Sequence, residues 1–358
     1  MGNIRAILCI ATALAAQIVA CRATETAENA DVKPENSARD NAATVARRRT
    51  QVARLLEIRQ QQAELYAEIS AKKISGAELE RRLDAMNAKY ENLCKEFPDF
   101  VEAKILHAAF LHDGGDDDNA RELLEDAIKT LSRDAYSKPD VENPTQPVPD
   151  EITDSRPLLA VAHRELAEVL AGTGDAKNAL PHIEKAAELA PADARTQLRL
   201  AEFLLEFRAQ IIAEKIAPEQ FPYAASIDEQ MRNAFRASLA IEPNLETAWR
   251  YAQSFLAAGN PDWNEVLQAW DLAKKIAASD AAQKNSSPEE QKMLAAALEL
   301  QRARALAELG KIREAEAALA AADEIPELSR PREELTKIID EKKSAKSAKN
   351  KISAKKIK

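Results

Sequence analysis

Glycine is scarce, at 8 of 358 residues, and so are aromatics, with 8 Phe, 5 Tyr and 3 Trp. Sandwiches, barrels and most α/β folds draw on glycine for turns and on aromatic residues for strands, so this composition argues against them. The abundant residues are helix formers: Ala, Leu, Glu, Lys and Arg. Charge of one sign is also lacking, since 50 Lys and Arg against 59 Asp and Glu leave only −9. That balance excludes a nucleic-acid binder by composition. The length suits two domains or one long repeat array.

Cysteine is limited to Cys9, Cys21 and Cys94, too few for a disulfide framework. A long apolar run is missing as well. After Arg5, the stretch Ala6–Ala20 is apolar apart from Thr12 and Gln17. As a helix it rises only ~22 Å, short of a ~30 Å hydrocarbon core, which favours a signal peptide over a membrane span. The run closes on Ile18-Val19-Ala20-Cys21, which resembles the bacterial lipoprotein box and implies lipidation at Cys21. Ordinary secretion and an uncleaved anchor are the alternatives. Myristoylation is excluded, because Ala6 stands where Ser or Thr is required. Residues 21–43 are polar, lack aromatics and include Pro34, so they read as a disordered tether. The lone Cys94, inside an apolar helical stretch, reads as a small buried hydrophobe.

A repeat organises the remainder. Ala167, Leu170, Gly174, Ala179, Ile183, Ala186 and Pro191 set a template. Ala108, Leu111, Gly115, Ala120, Leu124 and Ala127 keep its spacings, as do Ala303, Leu306, Gly310, Ala315, Leu319 and Ala322. A further copy opens at Ala201 and Leu204, 34 residues after Ala167, and resumes at Met231, Phe235 and Ser238. Small residues let two antiparallel helices approach, the glycine supplies a turn at positive φ, and Leu or Ile fills the seam. These residues together resemble the tetratricopeptide repeat (TPR) family. The resemblance implies an all-α fold, an α-solenoid of stacked antiparallel helix pairs wound as a right-handed superhelix.

The departures divide the chain. Residues 1–20 form the signal and 21–43 the tether, followed by a long helix and degenerate first repeat at 44–98. The long helix is expected over Asn41–Lys73, with Val52, Leu55, Leu56, Leu65 and Ile69 on one side. A regular repeat covers 99–135, a Pro-rich loop 136–156, and further repeats 157–330, with an insertion at 209–226. Ser226-Ile-Asp-Glu229 reads as a capping box that restarts a helix after the insertion. One copy is ragged, with Gln253 in the anchor position. Residues 331–358 are a helix end and a Lys-rich disordered tail; Lys342–Lys358 holds 8 Lys and no acid. That tail is either a solubiliser or a contact for an anionic surface.

Catalytic chemistry is largely missing. Neither GxGxxG nor GxxxxGK[ST] occurs, and the four histidines make no HExxH. The consecutive acids in Asp113-Gly-Gly-Asp-Asp-Asp118 do not match the alternating ligands of an EF-hand and read as a helix-capping turn. No cofactor or metal is expected. In the family resembled, first-helix side chains line a concave groove, which here implies Arg164, Glu168, Arg195, Leu198, Glu202, Arg250, Ser254 and Arg304. They read either as a peptide groove or as self-paired surface charges. The expected function is a non-enzymatic scaffold of the bacterial envelope that binds a protein or peptide and no nucleic acid, membrane-anchored and facing the periplasm or cell surface. The alternative is a self-associating structural envelope protein tethered through its basic tail.

Overall fold

The computed structural model describes residues 35–136, 155–213, 226–256, 261–279, 287–322 and 325–356. The signal peptide, Cys21, the tether up to 34, most of the Pro-rich loop and 214–225 of the insertion lie outside them. Among the described residues there are thirteen α-helices and no strand. The all-α class expected from the repeats is the one observed. The chain divides into two units, Met1–Ala190 and Pro191–Lys358.

The first unit holds α1 (Glu35–Ser70), α2 (Ala77–Glu96), α3 (Val101–Asp113), α4 (Asp117–Tyr136), α5 (Arg156–Gly172) and α6 (Ala176–Leu189). Each packs on the next, and α3 also touches α5. The template residues form the seams: Ala108, Ala120, Ala127, Ala167, Ala179 and Ala186 have no exposed surface, and Leu124 and Ile183 fill the space between them. Gly115 and Gly174 turn the chain at φ +83° and +82°. Space around both is open, so the backbone angle is what demands glycine there. Gly172 is different. A Cβ on it would stand 3.0 Å from the His112 ring, so any side chain there requires that ring, packed between α3 and α5, to give way.

α1 starts earlier than expected, and Leu56 is exposed while Ile58 is buried. The inward stripe is Leu55, Ile58, Gln62, Leu65 and Tyr66, which follows the 3–4 helical spacing that Leu56 breaks. The buried Tyr90 hydroxyl donates to Gln62 Oε1 at 2.6 Å and the Tyr66 hydroxyl to Asp113 at 3.0 Å. Burial pushes both phenols up, so each acts as a donor. His107 stacks on Tyr90, and burial lowers its pKa to about 4. The neutral ring meets Asn87 Oδ1 through Nε2 at 2.6 Å.

The second unit holds α7 (Ala194–Ile212), α8 (Ile227–Ile241), α9 (Leu245–Leu256), α10 (Trp263–Ala277), α11 (Pro288–Glu308), α12 (Ile312–Ala321) and α13 (Ser329–Lys356). Pairs α7–α8, α9–α10 and α11–α12 pack most closely, and α13 lies against both α11 and α12. Three details correct the sequence reading. In the ragged repeat Ala252 and Phe255 are buried and Gln253 is exposed, so the anchor is Ala252 and the extra length sits in the following turn. Ser226 makes no capping bond to the helix backbone; its Oγ accepts from Gln230 Nε2 instead. A complete capping box forms at Ser287 and Glu290, ahead of α11.

The basic tail is the third. Residues expected to be disordered continue α13 to Lys356. Leu335 and Ile339 enter a core with Leu300, Leu306 and Ala315. Lys342 reaches Glu308 at 2.7 Å and Lys343 reaches Glu316 at 2.6 Å. After Pro331 no residue breaks the helix, and the Ala and Lys that follow have high helix propensity.

Candidate functional site

The residues expected to line a groove behave differently from one another. In the first unit Arg164 has only 1% of its side chain exposed and contacts Glu165 at 3.2 Å, so it lies inside rather than on an open face. The cause is local crowding: α3, α4 and α6 all pack on α5. Glu168 is half-buried. In the second unit Arg195 and Leu198 on α7 are half-buried, and Glu202 is buried. Ser254 is buried and its Oγ donates to Tyr251 O at 2.6 Å, which removes it from any groove. Arg304 is exposed over the Trp263 ring. Leu300 belongs to the terminal core.

What opens on α9 is the face of Glu246, Trp249, Arg250 and Gln253, at helical spacing: Arg250 is where it was expected, and Gln253 stands one residue back from the expected Ser254. Pro243 and Asn244 set it up. The proline follows the end of α8, and Asn244 Oδ1 accepts from the Thr247 N–H at 3.1 Å, capping α9. The face forms one wall of a cleft of about 850 Å³. Residues 242–245, Ile276 near the end of α10, Ser279 just past it and Leu294 from α11 form the rest. Trp249 stands edge-on to the buried Trp270, with ring centroids 4.8 Å apart at 76°. That contact fixes the cleft indole.

The electrostatics run along a chain of ions. Arg250 bonds Glu246 at 2.7 Å and also pairs with Glu202, which pairs in turn with Arg199. The guanidinium charge of Arg250 is therefore matched on both sides. Glu242 at the cleft margin has no ion-pair partner among the described residues. The cleft thus offers an indole, aliphatic walls and carboxylate, with no unmatched cation in its lining.

Sequence reasoning missed a pair of histidines. His163 on α5 and His182 on α6 face each other with Nδ1 atoms 2.8 Å apart and ring centroids 5.1 Å apart. The centroid separation is the nitrogen separation plus one ring radius on each side, so the two nitrogens point at each other. One ring donates N–H to the other's lone pair, and the pair does not converge on a third atom. Burial lowers the His163 pKa to about 4, aided by His182, and burial lowers His182 as well. Both folded values lie below the ~6.5 of an unfolded histidine. The stability they contribute is complete above that value and is lost as pH falls towards 4. Thermal melts of His182→Gln should accordingly show a shallower loss of Tm between pH 6.5 and 4.5 than the natural chain. An unchanged slope would remove the pair from the acid response.

No three His, Cys, Asp or Glu side chains among the described residues could hold a metal ion. Burial pushes the Cys94 thiol up to about 11, so it carries no thiolate at neutral pH. Among the described residues no helix is long and apolar enough to cross a membrane.

No family model matches the chain, and no curated protein does. Solved structures do. MamA 41-end from Desulfovibrio magneticus RS-1 is similar over 62% of this chain and 97% of its own, at 16% identity and a TM-score of 0.36. The TPR-like repeats of a Podospora anserina kinesin light chain cover 63% of this chain and 95% of their own, at 16% identity and a TM-score of 0.37. YrrB, a TPR protein with an unusual peptide-binding site, covers 61% of this chain and 86% of its own, at 14% identity and a TM-score of 0.35. The fold class here rests on the packing of the chain's own helices.

Proposed function

We propose that the chain is a non-enzymatic scaffold that binds a protein or peptide in the cleft of its second unit. The observation that carries this reading is the open Trp249 face, an anchored indole between aliphatic walls and carboxylates. A rigid aromatic at the centre of a concave surface is what interface hot spots are made of. The folded units are further proposed to act in the bacterial envelope, held by lipid on Cys21. Two acyl signals on one thioether-linked residue give stable anchoring where one chain does not. Cys21→Ser should then move the protein from membrane to soluble fractions, and unchanged fractionation would reject the anchor.

Binding is tested by panning a random peptide display library against the full chain. Enriched peptides should lose affinity by about tenfold or more on Trp249→Ala, the range expected for a buried aromatic anchor. Peptides that bind Trp249→Ala as well as the natural chain would place the binding surface elsewhere. A library that enriches nothing would count against a peptide-binding scaffold.

A further inference from the structure

We propose that the cleft recognises lysine, and that its occupant is the Lys-rich end of α13 from a second copy of the chain. This rests on the reading of the cleft as a protein-binding site. Three observations bear on it.

The first is the chemistry of the lining. Trp249 presents an indole, Leu245, Ile276 and Leu294 an aliphatic wall, and Glu242 and Glu246 carboxylates. Glu246 keeps 73% of its side chain exposed despite its bond to Arg250. An ammonium on a four-carbon stem satisfies all three at once. The stem lies along the apolar wall, and the head meets carboxylate and aromatic face. Glu246 is already paired with Arg250, but Glu242 has no ion-pair partner among the described residues, so an acidic segment would meet Glu242 with no unmatched cation to offset it.

The second is the direction of α13. Arg332 bonds Ala322 O just past the end of α12, whereas Lys343 pairs with Glu316 in its middle, so α13 runs antiparallel to α12. Lys342 sits at Glu308, the last residue of α11. The helix therefore passes the end of α11 opposite to Leu294. Residues Ser344–Lys356 carry it about 20 Å further at 1.5 Å per residue. As a continuous helix it leads away from its own cleft, which only another copy's tail can then enter.

The third is composition. Beyond Lys343 the sequence holds Lys346, Lys349, Lys351, Lys355, Lys356 and Lys358, no acid, and the apolar Ile352 and Ile357. It supplies repeated ammonium groups with apolar neighbours, as the lining requires. A tail entering the next copy's cleft is a heterologous contact, which propagates rather than closing at a dimer unless a ring forms.

The experiment uses a fluorescein-labelled Ser344–Lys358 peptide titrated against the full chain, followed by anisotropy, with sedimentation velocity of the chain alone. The peptide should bind, and binding should weaken by about tenfold on Trp249→Ala, a change that leaves charge untouched. Glu242→Lys with Glu246→Lys should weaken it at least as much. Circular dichroism of each variant should match the natural chain. Sedimentation should show concentration-dependent species larger than a dimer, reduced by the same variants and by removal of 344–358. Absent binding, or binding indifferent to Trp249→Ala and to the double reversal, overturns the proposal. If library peptides still depend on Trp249 while the tail peptide does not bind, the cleft stands as a peptide site and the tail as its occupant falls. If neither depends on Trp249, both readings fall.

Discussion

Arg164→Met is expected to destabilise the first unit by about 3–5 kcal/mol, the range for breaking a buried ion pair from one side. The guanidinium and the Glu165 carboxylate are 1% and 9% exposed and lie 3.2 Å apart. Removing the cation leaves a carboxylate in low dielectric without its partner, and the methionine stem returns only apolar contact. A second substitution separates this cause from simple misfit. Arg164→Met combined with Glu165→Leu removes both charges at similar volume, and should recover most of the loss or exceed the natural stability. Urea unfolding of the three chains measures it. A double variant as unstable as the single one would show that Arg164 matters for packing rather than for its charge. The outcome also bears on function, since an arginine that cannot leave the core is unavailable to a partner.

The contrast between what sequence revealed and what it hid follows from the kind of constraint. The repeat was legible because every position serves packing on a fixed period. Ala167, Ala179 and Ala186 must be small for two helices to meet, and Gly174 must take φ +82° for the chain to turn. The seams formed where those spacings place them. Arginines on the same helices obey no such rule. Arg164, Arg250 and Arg304 each come from a first helix but share no common offset from the anchors Ala167, Ala252 and Ala303; one is inside, one is clasped by two glutamates, and one lies over Trp263. For Arg250 and Arg304 the fate is set by residues far along the chain. Glu202 is 48 positions from Arg250, and His182 is 19 from His163. The cleft was missed by one residue of register on α9, because Gln253 masked Ala252 as the anchor of its repeat. The tail was misread for a related reason. Lysine-rich composition suggests disorder when read alone, but Leu335 and Ile339 on the same helix find a core.

Trp270→Ala should cost the second unit about 3–5 kcal/mol, since a fully buried aromatic loses both its transfer energy and the filled volume. Trp270 is 1% exposed and is the largest of the fully buried side chains. The effect should reach the cleft, because Trp249 rests edge-on against this ring at 4.8 Å. Without that support the cleft indole gains rotamer freedom, and ordering it again on binding costs affinity. Trp270→Phe is expected to behave otherwise. The indole N–H of Trp270 is buried with no acceptor, a penalty of about 1–3 kcal/mol that phenylalanine does not carry. Relief of that penalty offsets much of the lost ring area, so the phenylalanine variant should fall within about 1.5 kcal/mol of the natural chain. It should also keep cleft affinity, as an aromatic edge or face still backs Trp249. Denaturant midpoints and peptide affinity measured together decide the matter. If Trp270→Phe is as unstable as Trp270→Ala, the indole N–H has an acceptor in solution. If Trp270→Ala unfolds at the natural midpoint, Trp270 does not carry the core between α9 and α10. If stability drops while affinity for cleft-binding peptides stays unchanged, Trp249 is held by something other than Trp270.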